Sequence, residues 1–233
     1  MAMSIGAKPL PIPRLEAGDC LDQATFHERY EAMPSDFRAE LIGGMVIVPS
    51  PLSSEHAQYH ALMMGWLTNY WGATPGVRAQ DNATIILGDT SEPQPDGALV
   101  IDWEYGGQTA LSDHGYTVGP PELIVEVASS SESIDLNAKR HGYEHAGVLE
   151  YVVLVIRQQV VRWFVLRQGV YQEVQADTDG IFKSTVFPGL WLHEDALCQL
   201  DVPRVMATLY QGLASPEHAA FVQQLQSRRE TSR

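Results

Sequence analysis

No stretch of this 233-residue chain comes near the ~18 consecutive apolar residues that a membrane-spanning helix requires. Its longest apolar run, Tyr151–Ile156, has the length of a strand. Cysteine is scarce. Cys20 and Cys198 lie far apart and form no CxxC pair, so a disulfide framework is excluded and a cytoplasmic protein with incidental thiols is expected. The first thirty residues hold Pro9, Pro11 and Pro13 but no basic segment followed by an apolar core, so no signal peptide is expected. Positive charge is the most telling shortage. Lys and Arg total 15 against 29 Asp and Glu, a formal net charge of −14. None of the cations falls between Arg78 and Lys139, where eleven acids lie. Affinity for nucleic acid ordinarily comes from Lys and Arg set against phosphates, so this balance argues against unaided DNA binding. Such a stretch is either solvated acidic surface or a cation-attracting pocket in which a bound metal inverts the local charge.

The chain is 45% hydrophobic and 19% charged, enough for one well-cored domain. Three parts are expected: a Pro-rich arm over 1–20, a domain over 21–195 and a helical extension over 196–233. Thr25 and Glu28 form a capping box ahead of a short helix. Glu40-Leu41-Ile42, Gly43-Gly44 and Met45–Val48 read as a hairpin with a two-glycine turn. Ser53-Ser54 opens a helix whose Tyr59, Leu62, Met63, Trp66, Leu67 and Tyr70 make an apolar stripe, which is core packing. Strands are predicted at Thr84–Leu87, at Ala98–Ile101 after Asp96, and at Leu123–Ala128. Residues 103–119 read as a loop. A helix follows from Ile134 to His145, ending near Gly147. Glu150–Ile156 and Val160–Leu166 form a second hairpin, with Val170–Val174 and Phe182–Val186 extending the sheet. Ser215 caps a C-terminal helix with Pro216 at its first position. The pattern is α/β, bordering on α+β: a mixed central sheet flanked by helices.

Glu126 is the residue that points to chemistry. It interrupts the apolar run Leu123-Ile124-Val125-Glu126-Val127-Ala128, bounded by Pro120-Pro121 and Ser129–Ser131. An unpaired carboxylate in such a strand costs several kcal/mol unless a metal or a cation meets it. Asp96 enters the neighbouring apolar run. Thirteen residues after Glu126, Lys139 shares a helix face with Asp135 and Tyr143 at i, i+4 and i+8 spacing. Two carboxylates able to hold Mg²⁺ and a lysine able to offset transition-state charge are the parts of metal-assisted phosphodiester cleavage. Each residue also has a plain reading: Lys139 as an i, i+4 partner of Asp135, and Glu40 as a strand-edge surface acid. His56 and His60, four apart on the first long helix, lack an evident third zinc ligand, and His56 is placed at the mouth of the site near Glu40. His141-Gly142-Tyr143-Glu144-His145 spells H-x-x-E-H, the inverted zincin signature. A zinc hydrolase using His141, Glu144 and His145 is therefore a further candidate, although Gly142 weakens that helix by roughly 1 kcal/mol relative to Ala.

From Phe37 to about Leu166 the chain resembles the Uma-type putative restriction endonuclease family of the PD-(D/E)xK nuclease superfamily. Glu40–Gly44 resembles E-L-I-D-G, with Gly43 in place of Asp. Pro49 to His56 resembles S-P-S-x-x-H, and Gln94-Pro95-Asp96 matches Q-P-D. Pro121–Val127 resembles P-D-L-V-V-E-V. Asp135, Lys139-Arg140, Tyr143, Gly147-Val148 and Glu150-Tyr151 match D-x-x-x-K-R-x-x-Y-x-x-x-G-V-x-E-Y. Phe187–Leu192 resembles the family's ending. Ser130 replaces a usual Pro, and Ile156 stands where the family often has Asp. The resemblance implies a restriction-endonuclease-like core over 21–195 with a divalent metal, Mg²⁺ with Mn²⁺ as a substitute. It implies Asp96 and Glu126 as metal ligands, Lys139 as catalytic lysine and Glu40 as an accessory acid. Ala128 holds the place two residues after the Glu where the superfamily usually has its Lys, so the lysine is taken to have moved to the following helix. The implied activity is an endodeoxyribonuclease. Cutting both strands of a duplex calls for a homodimer. The acidic balance favours another reading, a catalytically silent nuclease-fold binding module.

Overall fold

The protein, seen here as a computed structural model, is described over residues 12–231; Pro9 and Pro11 of the expected arm lie outside the described residues. In chain order the elements are α1 (Gln23–Glu31), β1 (Glu40–Ile42), β2 (Met45–Ile47), α2 (Ser54–Ala73), β3 (Val77–Asp81), β4 (Ile85–Ile86), β5 (Gly97–Ile101), β6 (Ala110–Leu111), β7 (Thr117–Val118) and β8 (Leu123–Ala128). A π-helical stretch, Ile134–Lys139, runs directly into α3 (Arg140–Ala146). Then come β9 (Glu150–Val155), β10 (Val160–Arg167), β11 (Val170–Val174), β12 (Ile181–Lys183), β13 (Trp191–His193), α4 (Glu194–Cys198), α5 (Val202–Leu213) and α6 (Pro216–Thr231).

The centre is a six-stranded mixed sheet in the order β11-β10-β9-β8-β5-β3. Only β8 and β9 run parallel; the other pairs are antiparallel. Parallel neighbours cannot be joined by a tight turn, so the chain must cross over one face of the sheet, and the π-helical stretch with α3 is that crossover. All six residues of β8 are buried, as expected of a strand covered on both faces. Side chains alternate across a strand. Leu123, Val125 and Val127 join the larger core under α2, with Tyr59, Met63, Trp66, Leu67 and Tyr70. Ile124 and Ala128 join the smaller core with Tyr143, Val148 and Tyr151 on the crossover side. Glu126, in phase with Ile124 and Ala128, therefore faces the crossover.

The helix α2 lies very close to the sheet where β5 begins. A Cβ added at Gly97 would meet Met64 Sδ at 2.8 Å and Val125 Cγ2 at 2.9 Å, so glycine permits this approach. The helix α5 packs on α2 and β13, and its Val205 and Leu209 are fully buried in the larger core. The hairpin β1–β2 turns on Gly43 and Gly44, both at positive φ (59° and 82°), as a two-residue hairpin turn demands. Under it lies a third, smaller core of Leu15, Phe26, Ala39, Leu41 and Val46.

Several local expectations change. Asp22, not Thr25, caps α1: its carboxylate accepts the Thr25 N–H at 2.7 Å. The predicted strand Thr84–Leu87 shrinks to Ile85–Ile86, which pairs with β7 in a small three-stranded sheet. That sheet takes β6 and β7 from 103–119, so the segment is not simply a loop. β11 extends the central sheet, but Phe182–Val186 does not. Phe182 lies on β12, which pairs with β13 in a separate ribbon. Short strands of this kind are fixed by distant partners, which a local apolar pattern does not report.

Gly97→Ala is expected to lower stability by about 1–3 kcal/mol, because stiff Val125 must give way along with Met64 and Leu67. In urea the midpoint should fall with an unchanged slope. An unchanged midpoint would show that α2 lifts freely from the sheet.

Candidate active site

Register brings the two strand carboxylates together. In the antiparallel pair β5–β8, Gly97 opposes Val125 and Ala98 opposes Ile124. One step further, Asp96 stands opposite Glu126, at the separation of directly facing cross-strand side chains. The ladder ends there in side-chain bonds. The Val127 N–H donates to Asp96 Oδ2 at 2.7 Å, and the Asp96 N–H lies 3.5 Å from Glu126 Oε2.

The crossover then delivers Lys139 onto Glu126. Its Nζ is 2.9 Å from Glu126 Oε1, 3.0 Å from Glu40 Oε1 and 3.8 Å from Asp135 Oδ1. Tyr143, one turn further on, donates its hydroxyl to Glu126 Oε1 at 3.0 Å. A π-helical turn is wider than an α-turn and recurs at functional sites. Here it carries both Asp135 and Lys139, and both are buried. Glu40 comes from β1 on the other side and also accepts the Gln94 N–H at 2.7 Å, tying the hairpin to the segment that leads into Asp96. Ser131 donates to Asp135 Oδ2 at 2.6 Å, while Asp135 Oδ1 is buried with no hydrogen-bond partner.

His56 enters from the first turn of α2, which Ser53 caps. Its Nε2 lies 3.6 Å from Asp96 Oδ2, and its Nδ1 is buried without a partner. His60, one turn on, places Nε2 3.0 Å from the Asp96 carbonyl and 3.1 Å from Asp81 Oδ1. The structure thus brings together all four sequence-predicted residues, Glu40, Asp96, Glu126 and Lys139, and sets His56 against Asp96 rather than Glu40. Sequence reasoning put Asp135 and Tyr143 on the helix face of Lys139, with an i, i+4 Asp135–Lys139 pair as the plain alternative, and gave neither a role at the site. Their burial against Glu126 is set by the crossover and has no local signal beyond the shared helix face.

The electrostatics follow from an excess of acid. Burial drives the Glu126 carboxyl well above its usual range; Lys139 opposes the shift, and Asp135, Asp96 and Glu40 reinforce it. Burial likewise raises Asp135. For Lys139 burial favours the neutral amine, but Glu126, Glu40 and Asp135 outweigh it and hold its pKa well above that of a free lysine. Glu126 and Lys139 both bind protons more tightly because one ammonium cannot neutralise three carboxylates. Asp96 behaves differently. Burial pushes it up, yet His56 and the Val127 N–H together bring it below the usual carboxylate range. The nearby Asp96 carboxylate in turn raises His56, against the opposing effect of burial.

These groups line the floor of an open cleft of about 950 Å³. Five carboxylates border it, Asp36 joining the four described, against two cations, Arg38 and Lys139. Among the described residues no group of three or more His, Cys, Asp or Glu has the geometry of a metal cage. Asp96 and Glu126 supply hard oxygen donors, and the orphaned Asp135 oxygen and the surplus of negative charge in the cleft are what a bound cation would relieve. The H-x-x-E-H segment does not assemble. Glu144 accepts the Tyr171 N–H at 2.7 Å, His141 bonds the Asn137 carbonyl at 2.8 Å, and both histidines are exposed.

Residues 25–199 match the family described as Uma2, putative restriction endonuclease. The chain belongs to the Uma2 family. Its fold is similar to a crystal structure described as a putative nuclease belonging to DUF820 from Anabaena variabilis, at 15% identity and a TM-score of 0.57, covering 74% of this chain and 96% of that one. No curated protein matches the chain. Membership of Uma2 supports a nuclease, and restriction-endonuclease-like families generally use a divalent metal. No helix among the described residues is long and apolar enough to cross a membrane.

Lys139→Met leaves the buried carboxylates uncompensated and is expected to cost about 3–5 kcal/mol at pH 8. Glu126 and Asp135 have raised pKa values, so their charging cost is absent below the ordinary carboxylate range and grows as pH rises above it. The lysine itself stays charged throughout. Urea unfolding of both proteins at pH 5 and pH 8 should show the deficit shrinking at pH 5; a deficit independent of pH would contradict the coupling.

Proposed function

We propose that this Uma2 protein is a divalent-metal-dependent endonuclease that hydrolyses phosphodiester bonds in DNA, using Mg²⁺ or, as a substitute, Mn²⁺. One observation carries the reading: two carboxylates in register, Asp96 just ahead of β5 and Glu126 on β8, with the buried Lys139 Nζ 2.9 Å from Glu126. Asp96 and Glu126 are the residues that would hold the metal. When bound, the ion supplies Lewis-acid polarisation of the phosphate and a water nucleophile at neutral pH.

The remaining work falls to the chain. His56 and the Val127 N–H keep Asp96 ionised, so that it is a ready ligand at neutral pH. Lys139, held charged, does not act as a general base; it presents positive charge to the reacting phosphate. Glu40 is the accessory acid. It fixes the ammonium from the side opposite Glu126 and so aims it. Tyr143, kept neutral by burial, steadies Glu126 through its hydroxyl. The acidic balance, −14 over the chain, favours the second reading, a catalytically silent nuclease-fold module.

Plasmid nicking separates the two. Wild-type protein with Mg²⁺ or Mn²⁺ should convert supercoiled plasmid to open circles, EDTA should stop it, and Asp96→Asn should lower the rate at least 100-fold while leaving the circular dichroism spectrum unchanged. Retained nicking in Asp96→Asn would remove Asp96 from the metal site. A folded wild type that cuts nothing with either metal would favour the silent module.

A further inference from the structure

The same cleft carries a statement about the physical form of its nucleic acid, and this inference rests on the nuclease reading. A protein that docks on intact duplex neutralises a row of phosphates with Lys and Arg. This cleft has the reverse lining, five carboxylates against Arg38 and Lys139, and Lys139 is already engaged by Glu40 and Glu126. Elsewhere Arg78 pairs with Asp102, Lys183 with Asp177, Arg229 with Glu104 and Arg29 with Asp19.

Apolar and aromatic side chains also border the cleft. Tyr30 and Phe37, ring centroids 6.4 Å apart, line it from the edge of the third core, where Tyr30 stacks on Phe26, and Tyr116 lines the same space. On the other the Val48–Leu52 lip, stiffened by Pro49 and Pro51, exposes Val48 at 41% and Leu52 at 66%. Exposed apolar side chains grouped beside a polar site mark a contact surface rather than scattered surface hydrophobes. The reactive groups are also recessed. Glu126 is 4% exposed and Lys139 5%, so a scissile phosphate must come down to them. A volume of about 950 Å³ suits a ligand of one or two nucleotides, at the upper end of small-molecule sites.

We propose that the cleft takes an unpaired stretch of DNA, whose bases lie against the Tyr30, Phe37, Tyr116 and Leu52 walls, and not the outer face of an intact duplex. A single strand suits the site on three counts. Its backbone has a lower charge density, so it needs less cationic neutralisation. Its bases are free to stack on rings, a sequence-tolerant contact contributing roughly tenfold per base. Its flexibility allows one phosphate to descend to the recessed carboxylates without prior unstacking.

The test measures binding of the full-length protein to fluorescein-labelled 12-nucleotide single strands and to the same sequence as duplex, by anisotropy across a salt series, with Ca²⁺ as the probe cation. Single strand should bind at least tenfold tighter than duplex. The log–log salt slope should be shallower than about −2, the value for roughly three phosphates. Leu52→Ser, a change at an exposed position, should weaken single-strand binding severalfold, and Tyr116→Ala should do the same. Duplex bound as tightly as single strand, a slope steeper than about −5, no measurable single-strand binding, or full affinity in both variants would overturn the proposal. Cleavage reports separately. Intact duplex cut in an Asp96-dependent way while single strand is ignored overturns this inference and keeps the nuclease. Single strand bound but never cut keeps this inference and sinks the nuclease.

Discussion

The contact on which the site depends is the buried ammonium of Lys139 among Glu126, Glu40 and Asp135. Each of these acids sits on a different segment: the sheet, the first hairpin and the π-helical entry to the crossover. Removing charges from water is expensive, and pairing offsets that cost only when geometry and hydrogen bonds are good. Here the geometry is supplied by the fold. The parallel relation of β8 and β9 forces the crossover onto one face of the sheet, and Glu126 lies on that face. Its other neighbours are the Tyr143 hydroxyl, from α3 of the crossover, and the Asp96 N–H, from the residue that leads into β5. The pairing still leaves more negative than positive charge, and a nuclease fold tolerates that imbalance if a divalent ion is its working complement.

Much of this was legible in the residues. A carboxylate in an otherwise apolar, six-residue buried strand has few structural excuses, and Glu126 has none beyond the site. The i, i+4, i+8 spacing of Asp135, Lys139 and Tyr143 put three polar groups on one face, and all three turned toward the sheet. What stayed hidden depended on tertiary partners. Nothing local marks Glu40 as facing a lysine ninety-nine residues later in the chain, except the resemblance to a family. Nor does the spacing of His56 show that its partner is Asp96, since that contact depends on how closely α2 descends onto Gly97.

The errors have the same origin. Phe182–Val186 has strand-like composition, but its partner is β13, and only the return of the chain through Trp191–His193 decides that. Thr84–Leu87 reads as four strand residues, yet only two pair, because the neighbouring β7 is itself two residues long. The H-x-x-E-H match fails for a related reason. A zinc site needs its base free, and Glu144, the motif's base, is spent on the backbone of β11.

The distribution of the site over hairpin, sheet and crossover makes it a coincidence detector for completed folding. During synthesis, Asp96 and Glu126 emerge before Lys139, and the strand β9 that pins the crossover emerges later still. Until β9 pairs beside β8, nothing holds the ammonium against the carboxylates. An unfinished or clipped chain therefore carries Asp96 and Glu126 without the Lys139 ammonium, and a chain that loses its first hairpin loses the Glu40–Lys139 contact. The buried charge cluster is thus completed only in the fully assembled molecule, by topology alone.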